Sequence, residues 1–222
     1  MPDDAPQAPV LGSPRPVTGY RILLPGQWDQ VPLRHGTEAA IRRILDSAFS
    51  RIPDDAPKDK IGPYRQELER RFRSAVEQAQ RGNALDLYLP VKPMNDVNLG
   101  ASIVVSESLV PRSVRSARPS DPTDVVVQFL AQDGVENADL SSGEVDGALA
   151  VRREHVCESD GAIGDELASR RVEYIITVPG DPERWFIAAF STVGGGSPRD
   201  ELADALVEWF DAVMATFRWR RG

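Results

Sequence analysis

The chain has 222 residues, and its 34 acidic side chains outnumber 26 basic ones, which gives a formal net charge of −8. Binding to a phosphate backbone depends on a basic surface, so this charge disfavours a nucleic-acid partner. Hydrophobic residues make up 41% of the chain and charged residues 27%, which is ordinary for a globular protein. The single cysteine, Cys157, excludes an internal disulfide and every multi-cysteine metal cluster.

The start of the chain differs in composition from the rest. Residues 1–18 are rich in proline and poor in apolar side chains, so we expect a flexible Pro-rich arm. Residues 19–222 are expected to form a single domain, since a chain of this length buries enough surface to fold without a metal or disulfide. The sequence shows neither a secretory signal nor an apolar run long enough to span a bilayer. These features predict a cytoplasmic protein without membrane insertion.

Helical periodicity appears first in two neighbouring segments. Apolar residues recur at helical spacing after Thr37, a candidate N-cap, and this pattern continues to Ile52. A second stripe begins at Ile61 and reaches Ala79, with Gly82 available to end it. We predict an N-terminal helical pair whose apolar faces need a partner surface.

Short apolar runs then predict strands. A brief Pro-Gly connection separates the last two, so we expect them to be antiparallel neighbours. The second and third should also be neighbours. A short helix is predicted over residues 123–131, after an Arg-containing loop at residues 111–119. The predicted strands cover residues 20–24, 85–89, 101–105, 145–151, 172–178 and 185–191.

The last predicted helix has the clearest boundary signal. Ser197 would be its N-cap and Pro198 its first residue, and an apolar stripe runs from Leu202 to Phe217. The arginines of residues 218–221 would close the helix, where cations favour the helix dipole. In total, the pattern predicts an α+β fold in which α-helices pack on an antiparallel β-sheet, in an α/β/α sandwich-like arrangement.

The search for reactive groups yields only one pair worth weighing. His155 and Cys157 would share one face of a strand, but nearby carboxylates such as Glu154 and Glu158 disfavour the thiolate. The glycine run at residues 194–196 lacks the Lys of a phosphate loop. We therefore predict no catalytic residue, no cofactor-binding residue and no metal site.

Three tryptophans are candidates for contact with a partner. Aromatic side chains near arginine often anchor protein interfaces. Trp209 falls in the stripe of the last helix and is expected in the core, whereas Trp28, Trp185 and Trp219 are the candidate partner-binding residues. Partial burial against the helices or the sheet is the competing interpretation of all three.

The C-terminal part of the chain resembles a known superfamily. Tyr174–Gly180 (YIITVPG), Arg184–Thr192 (RWFIAAFST) and the helix ending Phe210–Arg218 (FDAVMATFR) follow one another as in the ending of Mog1/PsbP-like domains. The resemblance covers residues 85–220 and implies an α/β/α sandwich around an antiparallel sheet. Members act mainly as non-enzymatic binders, among them a small-GTPase partner, photosystem accessory subunits and chaperone-like adaptors of bacterial secretion. The resemblance assigns no functional residue, because this fold serves unrelated tasks.

These observations lead to three functional hypotheses. The leading one is a non-enzymatic, cytoplasmic protein-binding module, in the manner of an adaptor or chaperone-like accessory of a secretion or assembly system. The second is an enzyme with an unconventional carboxylate-centred or Cys157-centred site. The third is a structural homodimer built through antiparallel edge strands.

Overall fold

The computed structural model describes residues 16–50, 58–94, 96–109, 138–159 and 167–222. The predicted loop at 111–119, the predicted helix at 123–131 and residues 1–15 of the predicted arm lie outside these ranges. Val17 and Thr18, at the end of that arm, belong to the first strand. The helices are α1 (Thr37–Phe49), α2 (Lys58–Arg81) and α3 (Glu201–Ala215). The strands are β1 (Val17–Arg21), β2 (Trp28–Pro32), β3 (Ala84–Pro90), β4 (Ala101–Leu109), β5 (Asp139–Val145), β6 (Ala148–Cys157), β7 (Ser169–Val178), β8 (Asp181–Thr192) and β9 (Arg218–Arg221).

Seven of the strands form one antiparallel sheet in the order β2-β3-β4-β8-β7-β6-β5. The expected α+β class with an antiparallel sheet is therefore confirmed. The predicted neighbours are confirmed as well, since β3 pairs with β4 and β7 pairs with β8. The remaining two strands, β1 and β9, pair antiparallel with each other. We call this two-stranded unit the terminal ribbon.

Two apolar clusters lie on opposite faces of the sheet. Neighbouring residues of a strand point to opposite faces, so Leu87 and Tyr88 of β3 belong to different clusters. The first cluster joins Tyr88 and Phe186 to the apolar side of α3, including Phe210. The second joins Leu87 to α1 and α2. Helices are thus held to the sheet by the apolar stripes that the sequence displays.

The end of the chain does not continue α3. The prediction that arginines of residues 218–221 close the last helix is wrong, because the helix ends at Ala215 and residues 218–221 form β9. Phe217 and Trp219 are buried, whereas Arg218 and Arg220 between and after them are exposed. This alternation is typical of a strand with one buried face. It brings the C-terminus beside β1.

Another correction concerns the strand predicted over residues 145–151. Asp146 and Gly147 have φ angles of 49° and 74° and form a two-residue turn between β5 and β6. Asp-Gly with both residues at positive φ is a type I′ hairpin turn, which suits the twist of paired strands. The predicted single strand therefore contains a chain reversal, and the sequence analysis did not identify β5.

The loop before α3 is organised by one carboxylate. The helix is capped by Asp200, not by Ser197, and the Asp200 side chain accepts hydrogen bonds from the backbone N–H groups of Ala203 and Gly195, both at 2.8 Å. Gly194 has a φ of 59°, and a Cβ there would lie 2.4 Å from the Asp200 carboxylate. The predicted glycine turn thus wraps around the helix cap. The hydrogen bonds that the Asp200 carboxylate accepts, above all the one from the Ala203 N–H, hold the pKa of Asp200 below its ordinary value.

Replacing this cap should lower thermal stability in a pH-dependent way. We expect Asp200→Ala to lower the unfolding midpoint by about 3–6 °C at pH 7, since a lost N-cap exposes helix donors. Asp200→Asn, which also caps, should retain most of that stability. Because the folded-state pKa is lowered, the advantage of Asp over Asn is present above the unfolded pKa and is lost as pH falls through the folded one. Thermal melts of the two variants at neutral and acidic pH test this, and equal midpoints for Ala and Asn would contradict it.

Candidate functional site

A cleft of about 690 Å³ lies between the terminal ribbon and one end of the large sheet. This volume falls within the range of ligand sites, roughly 300–1,000 Å³. Every residue of β1 contributes to its lining, and so do three consecutive residues of β2. Residues of β3, β4 and β8 complete the wall on the side of the large sheet. Strand β9 contributes Trp219 and Arg220.

The terminal ribbon is fixed over the sheet by aromatic contacts. Tyr20 of β1 pairs in register with Trp219 of β9. Their rings meet Phe186 of β8 at centroid distances of 4.8 Å and 5.4 Å, in edge-to-face geometry. Asp146, in the β5–β6 turn, accepts a hydrogen bond of 2.9 Å from the backbone N–H of Trp219. The ribbon therefore crosses the sheet end from β6 towards β3, and the cleft opens beneath it.

A chain of polar side chains forms the floor of the cleft. Tyr20 donates its phenolic hydrogen to Asp86 at 2.5 Å, and Gln30 donates to the other Asp86 oxygen at 2.7 Å. The hydroxyl oxygens of Tyr20 and Tyr88 lie 2.8 Å apart. Since Tyr20 uses its only proton for Asp86, Tyr88 is the donor between the two phenols. Strands β1, β2 and β3 are joined through this network.

Both phenols stay protonated at neutral pH. Burial, with smaller contributions from Tyr88 and Asp86, raises the pKa of Tyr20 far above its ordinary value. Burial also raises the pKa of Tyr88 to about 12. A buried phenol disfavours its charged form, because the anion loses its hydration. The two phenolic protons are therefore held within the network, and the tyrosines of the floor do not act as bases.

In the cleft lining, the acidic side chains have partners, whereas most of the arginines form no ion pair with a described residue. Each lining carboxylate is engaged: Asp29 contacts Arg43, Asp86 accepts the two hydrogen bonds described above, and Glu107 lies 3.6 Å from Arg184. Three guanidinium groups in the lining form no ion pair within the described ranges. They belong to Arg21, Arg34 and Arg220, and we call them the arginine trio. The cleft thus presents cationic groups in a chain of net charge −8.

Two indole N–H groups in the wall have no acceptor among the residues that the structure describes. Trp28 and Trp219 are 7% and 8% exposed, and in the described part of the chain the Nε1 atom of each lacks a hydrogen-bond partner. Trp28 stacks on Trp209 of α3, with ring centroids 4.8 Å apart. Buried donors without a partner are uncommon in folded proteins. Both indoles lie in the lining of the cleft.

The three candidate tryptophans do not converge on one surface. Trp28 and Trp219 line the cleft, whereas Trp185 is 2% exposed and occupies β8 one residue before Phe186. Alternation along the strand puts Trp185 on the opposite face of the sheet from Phe186. All three are buried, as the competing interpretation of partial burial implies, and their role in contact with a partner stays a prediction. Trp209 lies against the core of α3, as expected.

His155 and Cys157 occupy β6, and alternation places them on one face of that strand. His155 is partly buried, and burial lowers its pKa, with the nearby Arg153 and Arg171 acting in the same direction. His35 follows β2, and four strands separate β2 from β6 in the sheet. At about 4.8 Å per strand, His35 and His155 therefore lie towards opposite edges of the sheet and are not close to each other. Among the residues that the structure describes, no three His, Cys, Asp or Glu side chains are grouped to hold a metal.

No protein-family model matches the chain, and no curated protein sequence matches it. Within the described helices, none combines the length and apolar character that crossing a bilayer requires.

Proposed function

We propose that this chain is a non-enzymatic protein-binding module, and that the cleft receives an extended, acidic segment of its partner. The observation that carries the proposal is the arginine trio: three guanidinium groups around one cleft that form no ion pair with any residue that the structure describes. Guanidinium–carboxylate contacts are charge-assisted and frequently bidentate, which gives them both strength and orientation.

The shape of the lining favours a polypeptide over a compact ligand. Five consecutive residues of β1 and three of β2 contribute to the wall. Among the strands that the structure describes, β1 is paired on one side only, with β9, so its other side is an edge beside the cleft. An extended segment can add to such an edge by main-chain hydrogen bonds while its side chains meet the cleft.

The chemistry of the floor supports binding. Protonated Tyr20 and Tyr88 hold Asp86 by hydrogen bonds, so this network is a rigid platform whose groups are already occupied. A pre-ordered platform lowers the entropy that a partner segment loses on binding. The enzyme hypothesis stays a prediction, to be tested by loss of activity in Cys157→Ala.

We further propose an adaptor or chaperone-like role in the cytoplasm, in a secretion or assembly system. The motif order of residues 174–218, similar to that of Mog1/PsbP-like binders, supports this role. Helices on both faces of the antiparallel sheet also suit a sandwich-like body of this kind. A partner from such a system would present its acidic segment while still unfolded or extended.

Binding of synthetic peptides tests the proposal directly. Ten-residue fluorescent peptides that alternate Glu with Val should bind, whereas the same peptides with Gln or Lys in place of Glu should not. We expect Arg220→Gln to raise the dissociation constant by about tenfold or more, because one charge-assisted hydrogen bond contributes about 1.5–3 kcal/mol. Fluorescence anisotropy gives the constants, and affinity should fall as salt screens the arginines.

A neighbouring arginine provides the matched control. Arg221 is also exposed and also lies in β9, but it is outside the cleft lining. Arg221→Gln should leave the affinity within about twofold of the parent protein. Equal losses in Arg220→Gln and Arg221→Gln would mean diffuse attraction to a basic ribbon and would contradict the proposal. Equal affinity for the Glu and Gln peptides would contradict it as well.

A further inference from the structure

The edge strand β5 is an open site for strand pairing. Among the described strands it is the last of the sheet, and there it pairs only with β6. Six of its seven residues are exposed, and Leu140 has 51% of its surface in solvent. Natural edge strands are usually protected by proline, lysine, a bulge or a covering element. The sequence of β5, DLSSGEV, has neither proline nor lysine, and its register with β6 is regular.

The opposite edge of the same sheet differs. Strand β2 has five residues and ends at Pro32, which has no N–H to donate. The side chain of Asp29 in β2 contacts Arg43 of α1. These features shorten and shield that edge, so the two edges of the sheet are not equivalent.

The hairpin turn fixes which backbone groups of β5 are free. Val145 and Ala148 flank the two-residue turn and form the first pair of the ladder. In such a hairpin the flanking pair exchanges both backbone hydrogen bonds, and hydrogen-bonded pairs alternate from there. Leu140, Ser142 and Glu144 therefore direct their N–H and C=O groups away from β6.

We infer that β5 pairs antiparallel with β5 of a second copy of this chain, centred on Ser142, so that two sheets become one of fourteen strands. In this register Ser142 faces Ser142 of the other copy, and Leu140 faces Glu144. These are the residues whose backbone groups point outward, so the pairs exchange hydrogen bonds without any change to the β5–β6 ladder. A twofold axis through Ser142 makes the contact isologous and closed.

The side chains of β5 suit this register. Leu140 would lie against the aliphatic part of Glu144, and Asp139 would face Val145, so no acidic residue is directly opposite another. The two copies of Glu144 are four residue steps apart, about 14 Å at 3.4 Å per residue. This separation exceeds the screening length of about 8 Å at physiological salt. The inference does not depend on the cleft, which lies beside β1 and β2.

Solution mass tests the inference. We expect a reversible dimer whose fraction rises with protein concentration up to about 200 µM in sedimentation equilibrium, as mass action requires. Ser142→Pro removes the central outward N–H and should give a monomer with an unchanged thermal midpoint, because that N–H does not serve β6. Leu140→Lys should also give a monomer, whereas Leu109→Lys, at an exposed position on β4, should stay dimeric. A monomeric parent protein, or a dimer that survives both Ser142→Pro and Leu140→Lys, would overturn the inference.

Cross-linking supplies a second, geometric test. In a background with Cys157→Ser, Ser142→Cys should form an intersubunit disulfide on mild oxidation, because paired residues have Cα atoms about 5.5 Å apart. Glu144→Cys is the matched control on the same strand, and its two copies would be too far apart to join. Equal cross-linking at the two positions would reject the register. The effect of salt distinguishes pairing of β5 from peptide binding in the cleft. High salt should leave the dimer intact, whereas it should weaken binding of the acidic peptide.

Discussion

Phe217→Ala should lower the free energy of unfolding by about 3–5 kcal/mol, the usual cost of removing a fully buried aromatic ring. Phe217 is 0% exposed and lies where α3 passes into β9. Its ring centroid is 4.9 Å from that of Trp219, 5.1 Å from that of Phe186 and 6.1 Å from that of Tyr20. The substitution therefore opens a cavity among the rings that hold the terminal ribbon against the sheet. Urea denaturation followed by circular dichroism measures the loss.

A second buried phenylalanine, Phe190, provides a control that distinguishes a loss of stability from a displacement of the terminal ribbon. Phe190 is also 0% exposed, but it stacks on Phe210 of α3 at 4.9 Å and does not line the cleft. Phe190→Ala should cost a similar free energy of unfolding. Only Phe217→Ala should speed hydrogen exchange in the β1 amides and weaken peptide binding below the melting temperature. If both variants left exchange in β1 unchanged, Phe217 would not be what fixes the ribbon.

The sequence predicts those elements whose apolar pattern is both periodic and local. Leu85, Leu87 and Leu89 alternate with polar residues, and the strand there is observed. The Pro179–Gly180 connection correctly predicts that β7 and β8 are paired neighbours. The apolar stripes of α1 and α2 meet the sheet through residues such as Ile41 and Val76. In each case a few adjacent residues carry the whole signal.

The sequence pattern misses three strands, β2, β5 and β9, and for the last two a short signal adjoins a longer predicted element. Strand β5 is largely exposed and polar, so hydrophobicity does not mark it, and the Asp146–Gly147 turn that ends it was read as part of a strand. Strand β9 follows α3 after two residues, and its arginines were assigned to the helix end. The alternation of Phe217 and Trp219 with charged residues was the available clue. Four residues are too few for periodicity to outweigh a long helical stripe.

The cleft could not be predicted, because its parts are far apart in the chain. Tyr20 and Trp219 are paired across nearly the whole sequence, and Asp86, from the middle of the chain, accepts a hydrogen bond from Tyr20. The tryptophan signal did select Trp28 and Trp219, although it did not place them in a cleft. That their N–H groups lack a partner among the described residues becomes visible only in the folded arrangement. Arg220 is recognisable in the sequence as a charged residue. Its position beside the polar floor of the cleft, however, depends on the pairing of β1 with β9.

Glu173→Ala should cost more than loss of an exposed ion pair, about 1.5–3 kcal/mol, because it removes a charge-assisted hydrogen bond from a buried guanidinium. Arg153 of β6 and Glu173 of β7 are paired across the ladder, and their side chains are only 8% and 13% exposed. The guanidinium Nε of Arg153 donates to Glu173 at 2.6 Å. Both lie on the sheet face opposite α3. Chemical denaturation at neutral pH measures the effect.

The size of this loss depends on burial, and an exposed pair provides the comparison. Arg65 and Asp46 are 3.0 Å apart, but their side chains are 48% and 68% exposed. Asp46→Ala should therefore cost less than about 1 kcal/mol, since water already solvates both charges. Glu173→Gln should fall between the two alanine variants, because the amide oxygen still accepts a hydrogen bond but carries no charge. A cost for Glu173→Ala as small as that for Asp46→Ala would mean that water reaches Arg153, so that this face of the sheet opens in solution.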